Sequence, residues 1–243
     1  MKPESSSADA SASGKKQMDV IFFDAAGTLI HLPKSVGFHY SFVAKRHGLH
    51  LDETRTNEAF YSVWKQMPAR GTTRKPRPDD DKGWWRTLVA QVLEISAENQ
   101  RAFDFNEYFE DLYLHFAQPG VWQLYGEVYS TLANLHQPYR LAVISNFDRR
   151  LLPIFDQLGI ASMFEKIIIS SEVGADKPDP YIFQYALDFL HVSPSRALYI
   201  GDDPAKDWHA AKAAGMHVFR LDRPENSLAD IPAFLEKLNA TGN

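Results

Sequence analysis

Asp19-Val-Ile-Phe-Phe-Asp24-Ala-Ala-Gly27-Thr28 is a short apolar run that ends in an acid and then in a turn of small residues. Four successive Val, Ile and Phe residues, with no polar alternation, predict a strand buried on both faces, as in a parallel sheet. A carboxylate at its end falls where α/β sheets present groups to ligands. Downstream, strand and helix patterns alternate. Residues 140–144, 166–169, 197–200 and 218–220 read as strands, and 128–135, 149–158, 179–190, 205–214 and 230–238 as helices. The alternation predicts an α/β fold, a doubly wound parallel sheet with helices on both faces.

A different pattern interrupts it after the first strand. Residues 36–47, 53–67, 84–95 and 105–116 each read as amphipathic helices, the last with Phe105, Tyr108, Phe109, Leu112 and Phe116 at helical spacing. Residues 68–82 carry Pro68, Pro76 and Pro78, four basic residues (Arg70, Arg74, Lys75, Arg77) and then Asp79-Asp80-Asp81, which is a loop. The expected organisation is a core from residues 18–31 and 122–243 and an inserted all-helical cap over 32–121. Hinges are expected at 32–36 and 119–121. Residues 1–17, rich in Ser, Ala and Lys without an apolar block, read as a disordered tail.

Composition narrows the function. The 243 residues hold 26 basic and 31 acidic side chains, a formal net charge of −5. A uniform nucleic-acid-binding face is disfavoured, because neutralising phosphates takes a clustered excess of Lys and Arg. With no cysteine, disulfide scaffolds, thiolate zinc sites, iron–sulfur clusters and cysteine nucleophiles are excluded. No apolar run approaches the roughly 18 residues of a membrane helix, so no membrane partner is expected. The lack of a hydrophobic secretory stretch makes the cytoplasm the expected location.

Four strand ends carry unusual polar residues: Asp24; Ser145-Asn146; Lys177, shortly past the strand at 166–169; and Gly201-Asp202-Asp203, with Asp207 one turn into the next helix. Acids gathered in one cleft repel each other unless a cation neutralises them. Mg²⁺ prefers a few carboxylates plus waters and substrate oxygens. A lysine at the same edge shields a phosphoryl group, and a carboxylate opposite a metal is itself a nucleophile. The set points to phosphoryl transfer through an aspartyl phosphate, with a small phosphorylated molecule as substrate.

The segments Phe23-Asp24-Ala25-Ala26-Gly27-Thr28-Leu29, Ile144-Ser145-Asn146, Asp176-Lys177-Pro178-Asp179-Pro180 and Gly201-Asp202-Asp203 with Asp207 come in an order that resembles the haloacid dehalogenase superfamily over most of the chain. The helical insert resembles the superfamily class with an α-helical cap on a Rossmann-like core. Residues 142–151, with Trp84-Trp85, are most similar to its domain-containing protein 3 group. The resemblance implies Asp24 as nucleophile and metal ligand, and Ser145 and the Asn146 backbone as phosphoryl-binding groups. Lys177 would be the charge-neutralising catalytic residue. Asp202 would be a direct Mg²⁺ ligand, Asp203 a direct or water-mediated one, and Asp207 would orient this shell. The backbone carbonyl of Ala26 would be a further metal ligand.

One position departs from that pattern. Phosphatases of the superfamily usually carry a second Asp two residues after the nucleophile, to protonate the leaving group. Here it is Ala26. A positioned acid or base is worth about 10²–10⁴-fold, so weak phosphatase activity is one reading and a catalytically impaired binding or regulatory protein another. A carbon–phosphorus hydrolase would have a small residue here and would need a cap lysine (Lys45, Lys65, Lys75 or Lys82). A carbon–halogen hydrolase would need no metal, against which the acidic Asp202-Asp203 pair argues.

Simpler readings stand beside these. Asp179-Pro180 and Asp203-Pro204 each read as a helix start, with the Asp as N-cap and the Pro at the first helical position. The basic residues of the 68–82 loop read first as a solvated run offset by the Asp trio, and second as a device that draws anionic substrates to the cleft. Trp84 and Trp85 read first as cap core and second as cleft lining. His31 reads as hinge surface before it reads as a substitute acid.

Overall fold

The structure, a computed structural model, describes residues 18–97 and 103–241; the expected tail at 1–17 lies outside them. Five strands, β1 (Val20–Phe23), β4 (Arg140–Ser145), β5 (Lys166–Ile169), β6 (Ala197–Gly201) and β7 (His217–Arg220), form one parallel sheet in the order β5-β4-β1-β6-β7. β1 lies in the middle, with Phe23 opposite Val143 on one side and Ile200 on the other. Every residue of β1 is fully buried, which is why its sequence has no polar alternation.

Alternate side chains of the strands feed two cores. Ile21, Phe23, Val143 and Ile200 pack with α5 (Val128–Leu135), α6 (Leu151–Gln157) and α10 (Ile231–Thr241). Val20, Phe22, Ala142 and Ile144 pack on the opposite face with α8 (Pro180–Phe189) and α9 (Ala210–Ala213). Each fully buried aliphatic or aromatic side chain contributes about 1.5–3 kcal/mol. The expected doubly wound α/β fold is what these two faces make.

Between β1 and β4 the chain leaves the sheet through β2 (Ile30–His31), which pairs antiparallel with β3 (Gln123–Leu124) on the way back. Two-residue strands carry no periodicity, and the sequence reading did not separate them from loop. Beyond this pair lie α1 (Val36–Ala44), α2 (Glu53–Gln66), α3 (Lys82–Ser96) and α4 (Phe105–His115). They close on a third core of their own, in which Tyr40, Val63, Val92, Tyr108 and Leu112 are buried. Asp52 and Asp104 cap α2 and α4 by accepting hydrogen bonds from backbone N–H groups of the first turn.

Three expected helices differ in form. The one at 36–47 tightens after Ala44 into a 3₁₀ turn over Lys45–His47, and Gly48 ends it at φ 67°. The one at 149–158 begins only at Leu151, because Asp148 and Arg150 are engaged in an ion pair before it. The one at 205–214 opens as a π-helical turn over Pro204–His209 before continuing as α9. Ser170–Val173 forms a further single turn, α7, too short to have a helical period in the sequence.

Candidate active site

Parallel strands place their carboxyl ends on one edge, and there the chain turns from β1 into Asp24, from β4 into Asn146 and from β6 into Asp202. Lys177 joins them from the segment between α7 and α8. Its Nζ is buried and donates to Asp24 Oδ1 at 2.6 Å, to Asp207 Oδ1 at 2.7 Å and to the Tyr199 hydroxyl at 2.8 Å. All three ammonium hydrogens are thereby satisfied. The Lys177 backbone is held by the Asn146 side chain, which accepts from Lys177 N at 2.6 Å and donates to Lys177 O at 2.8 Å. Ser145 is 2% exposed and lines the same cleft.

Carboxylate oxygens of Asp24, Asp202 and Asp207 lie within 4.8 Å of one another. Asp202 is held by Thr28, whose hydroxyl donates to its Oδ1 at 3.2 Å. A Cβ at Gly27 (φ 95°) would run into that carboxylate, so glycine is what lets the first turn pass so close. Asp207 reaches inward from the π turn, and its Oδ2 accepts from Asp203 N at 3.0 Å. A Cβ at Gly201 would collide with it.

The electrostatics fit a bound cation. Burial raises the Asp24 carboxyl to about 7; Lys177 pulls it down and Asp207 pushes it up. Burial and Asp207 also raise Asp202. Burial alone would pull the Lys177 ammonium down, but Asp24 and Asp207 outweigh it and the net shift is upward. One lysine among three carboxylates leaves a negative excess, and such oxygen donors suit a hard divalent cation.

The expected metal residues do not all meet there. Asp203 turns away: its Oδ1 accepts from Ala205 N at 2.9 Å and Lys206 N at 2.8 Å, and its Oδ2 pairs with Lys206 Nζ at 3.0 Å. Burial pushes its pKa up, but these bonds bring it below the usual range. The carboxylate is the N-cap of the π turn, and Asp207 takes the third place in the acid cluster. Ala26 is exposed and lines the cleft beside Asp24.

The cleft opens into a cavity of about 730 Å³ between sheet edge and cap. Trp84 and Trp85 do both: partly buried, they pack against the cap core and line the cavity. The Trp84 indole N–H donates to Pro68 O, and that of Trp85 to the buried Asp148 carboxylate across the domain junction. None of the four cap lysines and no histidine lines the cavity among the described residues. The Schiff-base route of a carbon–phosphorus hydrolase therefore has no amine from the cap. His31 sits in β2 with its ring centroid 4.5 Å from that of Tyr125.

The four basic residues of the 68–82 loop divide: Arg74 and Lys75 are exposed, as a solvated run would have them, whereas Arg70 and Arg77 are held in ion pairs. Arg70 and Arg77 bridge Asp81 of the loop and Asp176 of the core, with N–O distances of 2.8–3.2 Å, and the two guanidinium side chains are 10% and 8% exposed. Thr73 N and Arg74 N donate to Gly174 O, Arg77 N to Ser171 O, and Arg149 N to Asp80 Oδ2. The loop is thus pinned on the core immediately beside Lys177.

Comparison with known proteins gives the family. A haloacid dehalogenase-like hydrolase model matches residues 18–215. The chain belongs to the haloacid dehalogenase-like hydrolase family. It is 33% identical to the haloacid dehalogenase-like hydrolase domain-containing protein 3 of Bos taurus, over 86% of this chain and 84% of that protein. Among solved structures it resembles the HAD-hydrolase YfnB of Bacillus subtilis in its magnesium-bound form (TM-score 0.73, 16% identity, 91% of this chain and 100% of that one). It also resembles a 2-haloacid dehalogenase of Pseudomonas syringae pv. Tomato DC3000 (TM-score 0.58, 22% identity, 91% and 99%). No helix among the described residues is long and apolar enough to cross a membrane.

Within this HAD framework, sequence reasoning missed Tyr199, the Asp148–Arg150–Trp85 junction and the Arg70–Arg77–Asp176 clamp. Tyr199 left a signal: a phenol in an otherwise aliphatic, fully buried strand needs a partner for its hydroxyl. The other two join residues far apart in sequence, and no local pattern announces them.

Proposed function

We propose that the chain is a Mg²⁺-dependent phosphohydrolase acting on a small phosphorylated molecule through Asp24. The observation that carries this reading is the cluster of Asp24, Asp202 and Asp207 carboxylates within 4.8 Å, bridged by the buried Lys177 ammonium. Asp202 is the discriminating acid: it accepts from Thr28 and makes no bond to Lys177, so a metal-free dehalogenase would leave its charge without a partner cation. Asp24, Asp202 and the Ala26 carbonyl would hold the cation, with Asp207 steadying Lys177 beside them. When bound, Mg²⁺ supplies positive charge to the phosphoryl oxygens and to the acids.

The chain's own groups account for the steps. Asp24 attacks phosphorus, the bond to the leaving oxygen breaks, and an aspartyl phosphate forms. Lys177 and the Ser145 hydroxyl lie where charge builds on the phosphoryl oxygens. Water then attacks the same phosphorus, the bond to Asp24 breaks, and phosphate and a proton leave. Ala26 offers no proton in the first step and no base in the second, so water hydrolysis is the slow step for a good leaving group.

Ala26 also favours a second reading, a binding or regulatory protein that keeps the fold and the cation but turns over poorly. Rapid mixing with p-nitrophenyl phosphate, with and without Mg²⁺ and with Asp24→Asn, separates the two. The phosphohydrolase gives a magnesium-dependent burst of nitrophenolate that Asp24→Asn abolishes. A burst that persists in Asp24→Asn, or one indifferent to magnesium, sinks the mechanism. Fast linear turnover without a burst means that another group has replaced the missing acid; no burst and no turnover moves the weight to the binding protein.

A further inference from the structure

The cap half of the cavity is built of aromatic walls. Four of the five tryptophans line it: Trp64, Trp84, Trp85 and Trp122. The first three form one cluster. Trp64 and Trp84 cross at 88° with centroids 5.4 Å apart, Trp84 and Trp85 at 89° and 5.2 Å, and Trp64 and Trp85 lie at 38° and 5.6 Å. Arg70 lies over Trp84 and Arg150 over Trp85, at 5.0 and 5.2 Å from the ring centroids.

The guanidinium groups that reach this wall are already engaged. Arg70 is paired with Asp81 and Asp176. Arg150 is paired with Asp148 and donates to Tyr113 O. The indole N–H groups of Trp84 and Trp85 are engaged as well. A leaving group rich in hydroxyls or carboxylates would be desolvated against indole faces with little to replace its water. A planar apolar one would bury its area against rings held in place. At about 730 Å³, the cavity is of the size that holds a drug-sized ligand, far more than phosphate on a two- or three-carbon stub.

A second, independent observation concerns the bond to be broken. Ala26 stands beside Asp24 with no proton to give, and no histidine lines the cavity among the described residues. An alkoxide leaving group suffers most from this. A phenolate, whose parent acid has a pKa near 10 as in tyrosine, departs without a proton.

We propose that the substrates of this site are aryl phosphates, phosphomonoesters of a phenolic hydroxyl whose ring lies in the cavity against the Trp64, Trp84 and Trp85 cluster while the phosphoryl group meets Asp24 and Lys177. The inference rests on the phosphohydrolase reading above and names its substrate class. In the first step Asp24 Oδ bonds to phosphorus, the phosphorus–oxygen bond to the ring breaks, and the electron pair leaves as phenolate, which takes its proton from solvent. Water returns Asp24 and releases phosphate.

The test measures Asp24-dependent transfer to the enzyme, in Mg²⁺, from four probes: 1-naphthyl phosphate, 2-phenylethyl phosphate, glycerol 3-phosphate and acetyl phosphate. The second has a ring but an alkoxide leaving group. The fourth has a good leaving group but no ring. The expected result is that 1-naphthyl phosphate exceeds glycerol 3-phosphate by about 10²-fold or more in kcat/KM, with 2-phenylethyl phosphate between them. Trp64→Ala, at a side chain 37% exposed and so removable without unfolding the cap, should lower the naphthyl-to-acetyl ratio about tenfold. Glycerol 3-phosphate equal to or better than 1-naphthyl phosphate, with acetyl phosphate still labelling Asp24, overturns the aryl assignment and leaves the phosphohydrolase standing. A ratio unmoved by Trp64→Ala overturns the placement of the ring. No Asp24-dependent transfer from any of the four, acetyl phosphate included, overturns the phosphohydrolase and this inference with it.

Discussion

Replacing Tyr199 by Phe removes one oxygen atom from the centre of the molecule and nothing else. The hydroxyl accepts from Lys177 Nζ at 2.8 Å and donates to Asp207 Oδ1 at 2.9 Å, on a side chain with no solvent exposure. Water cannot enter to replace it. The variant leaves one ammonium hydrogen of Lys177 dry and removes a hydrogen bond to a charged group, worth about 1.5–3 kcal/mol. Phe fits the ring's place, edge-on to Phe183 at 5.5 Å, so the cavity term is small. A chain of this length loses roughly 2–4 °C of melting temperature per kcal/mol, so Tyr199→Phe should melt roughly 3–12 °C lower. Lys177 then has only the two carboxylates to fix it. If half of the lost energy is felt in the transition state, burst phosphorylation by an aryl phosphate slows about 4- to 12-fold. Tyr129→Phe, at a half-exposed ring on α5, is the control. A Tyr199→Phe melt within about 1 °C of the parent and an unchanged burst rate would refute the claim that the hydroxyl positions Lys177.

Three more outcomes are expected. Ala26→Asp should raise turnover of 2-phenylethyl phosphate by about 10²–10⁴-fold by supplying the missing acid, read as steady-state phosphate release; no gain would show that another group already protonates alkoxides. Asp176→Asn leaves Arg70 and Arg77 facing Asp81 alone and should cost about 2–4 kcal/mol, with faster proteolytic cutting within residues 69–80; cutting at the parent's rate would show that the clamp does not hold the loop. Burial and the neighbouring His115 lower His39 to about 4, against an unperturbed 6.5. The folded state therefore takes up the proton less readily than the unfolded chain, so stability is full above about pH 6.5 and falls as the pH drops towards 4. After screening by solvent near His115, about 1–2 kcal/mol is at stake. Urea midpoints at about pH 5 and 7.5 should differ less in His39→Phe than in the parent, and an equal difference would exclude His39 as a source.

How much of this was legible depended on whether the cause was local. Val20 to Phe23 had to be a central strand, because nothing in the run could face water. α5 begins and ends where its apolar spacing does. The acids at the ends of β1 and β6 were legible because parallel strands bring their carboxyl ends together whatever lies between. Asp203 shows the limit. An acid followed by proline is as good an N-cap as a metal ligand, and only the path of the π turn decides that Asp207 joins Asp24 and Asp202 while Asp203 caps the turn. β2 and β3 are too short to have a period. The 68–82 loop has its charge balance written in its own sequence, yet the carboxylate that fixes it, Asp176, lies some hundred residues on, and only the fold makes them neighbours.

The same division runs through the site. The core side is polar, and every donor of the Lys177 ammonium is used, so on the phosphohydrolase reading charge at the reacting phosphorus is arranged before a substrate arrives. The cap side is apolar. It is tied to the core by Asp148–Arg150 to Trp85 and by Asp176 to Arg70 and Arg77, clamps made of core carboxylates gripping the elements that carry the aromatic wall. Opening the cap breaks the ion pairs of Arg70 and Arg77 with Asp176 and the hydrogen bond from Trp85 to Asp148, so the aromatic wall and the acidic cleft form one compartment only while these links hold. A leaving group that fills the aromatic side keeps water out of it. On the aryl-phosphate proposal, Ala26 would matter most in the second step, when the ring has gone and water must reach the aspartyl phosphate unaided. Departure of the ring and loosening of the cap are therefore coupled to hydrolysis: variants that weaken the Asp176 clamp should speed decay of the phosphoenzyme while weakening capture of the aryl ester. Burst amplitude and steady-state rate, measured together on Asp176→Asn, read those opposite effects. A loss of both would show that the clamp serves only the fold.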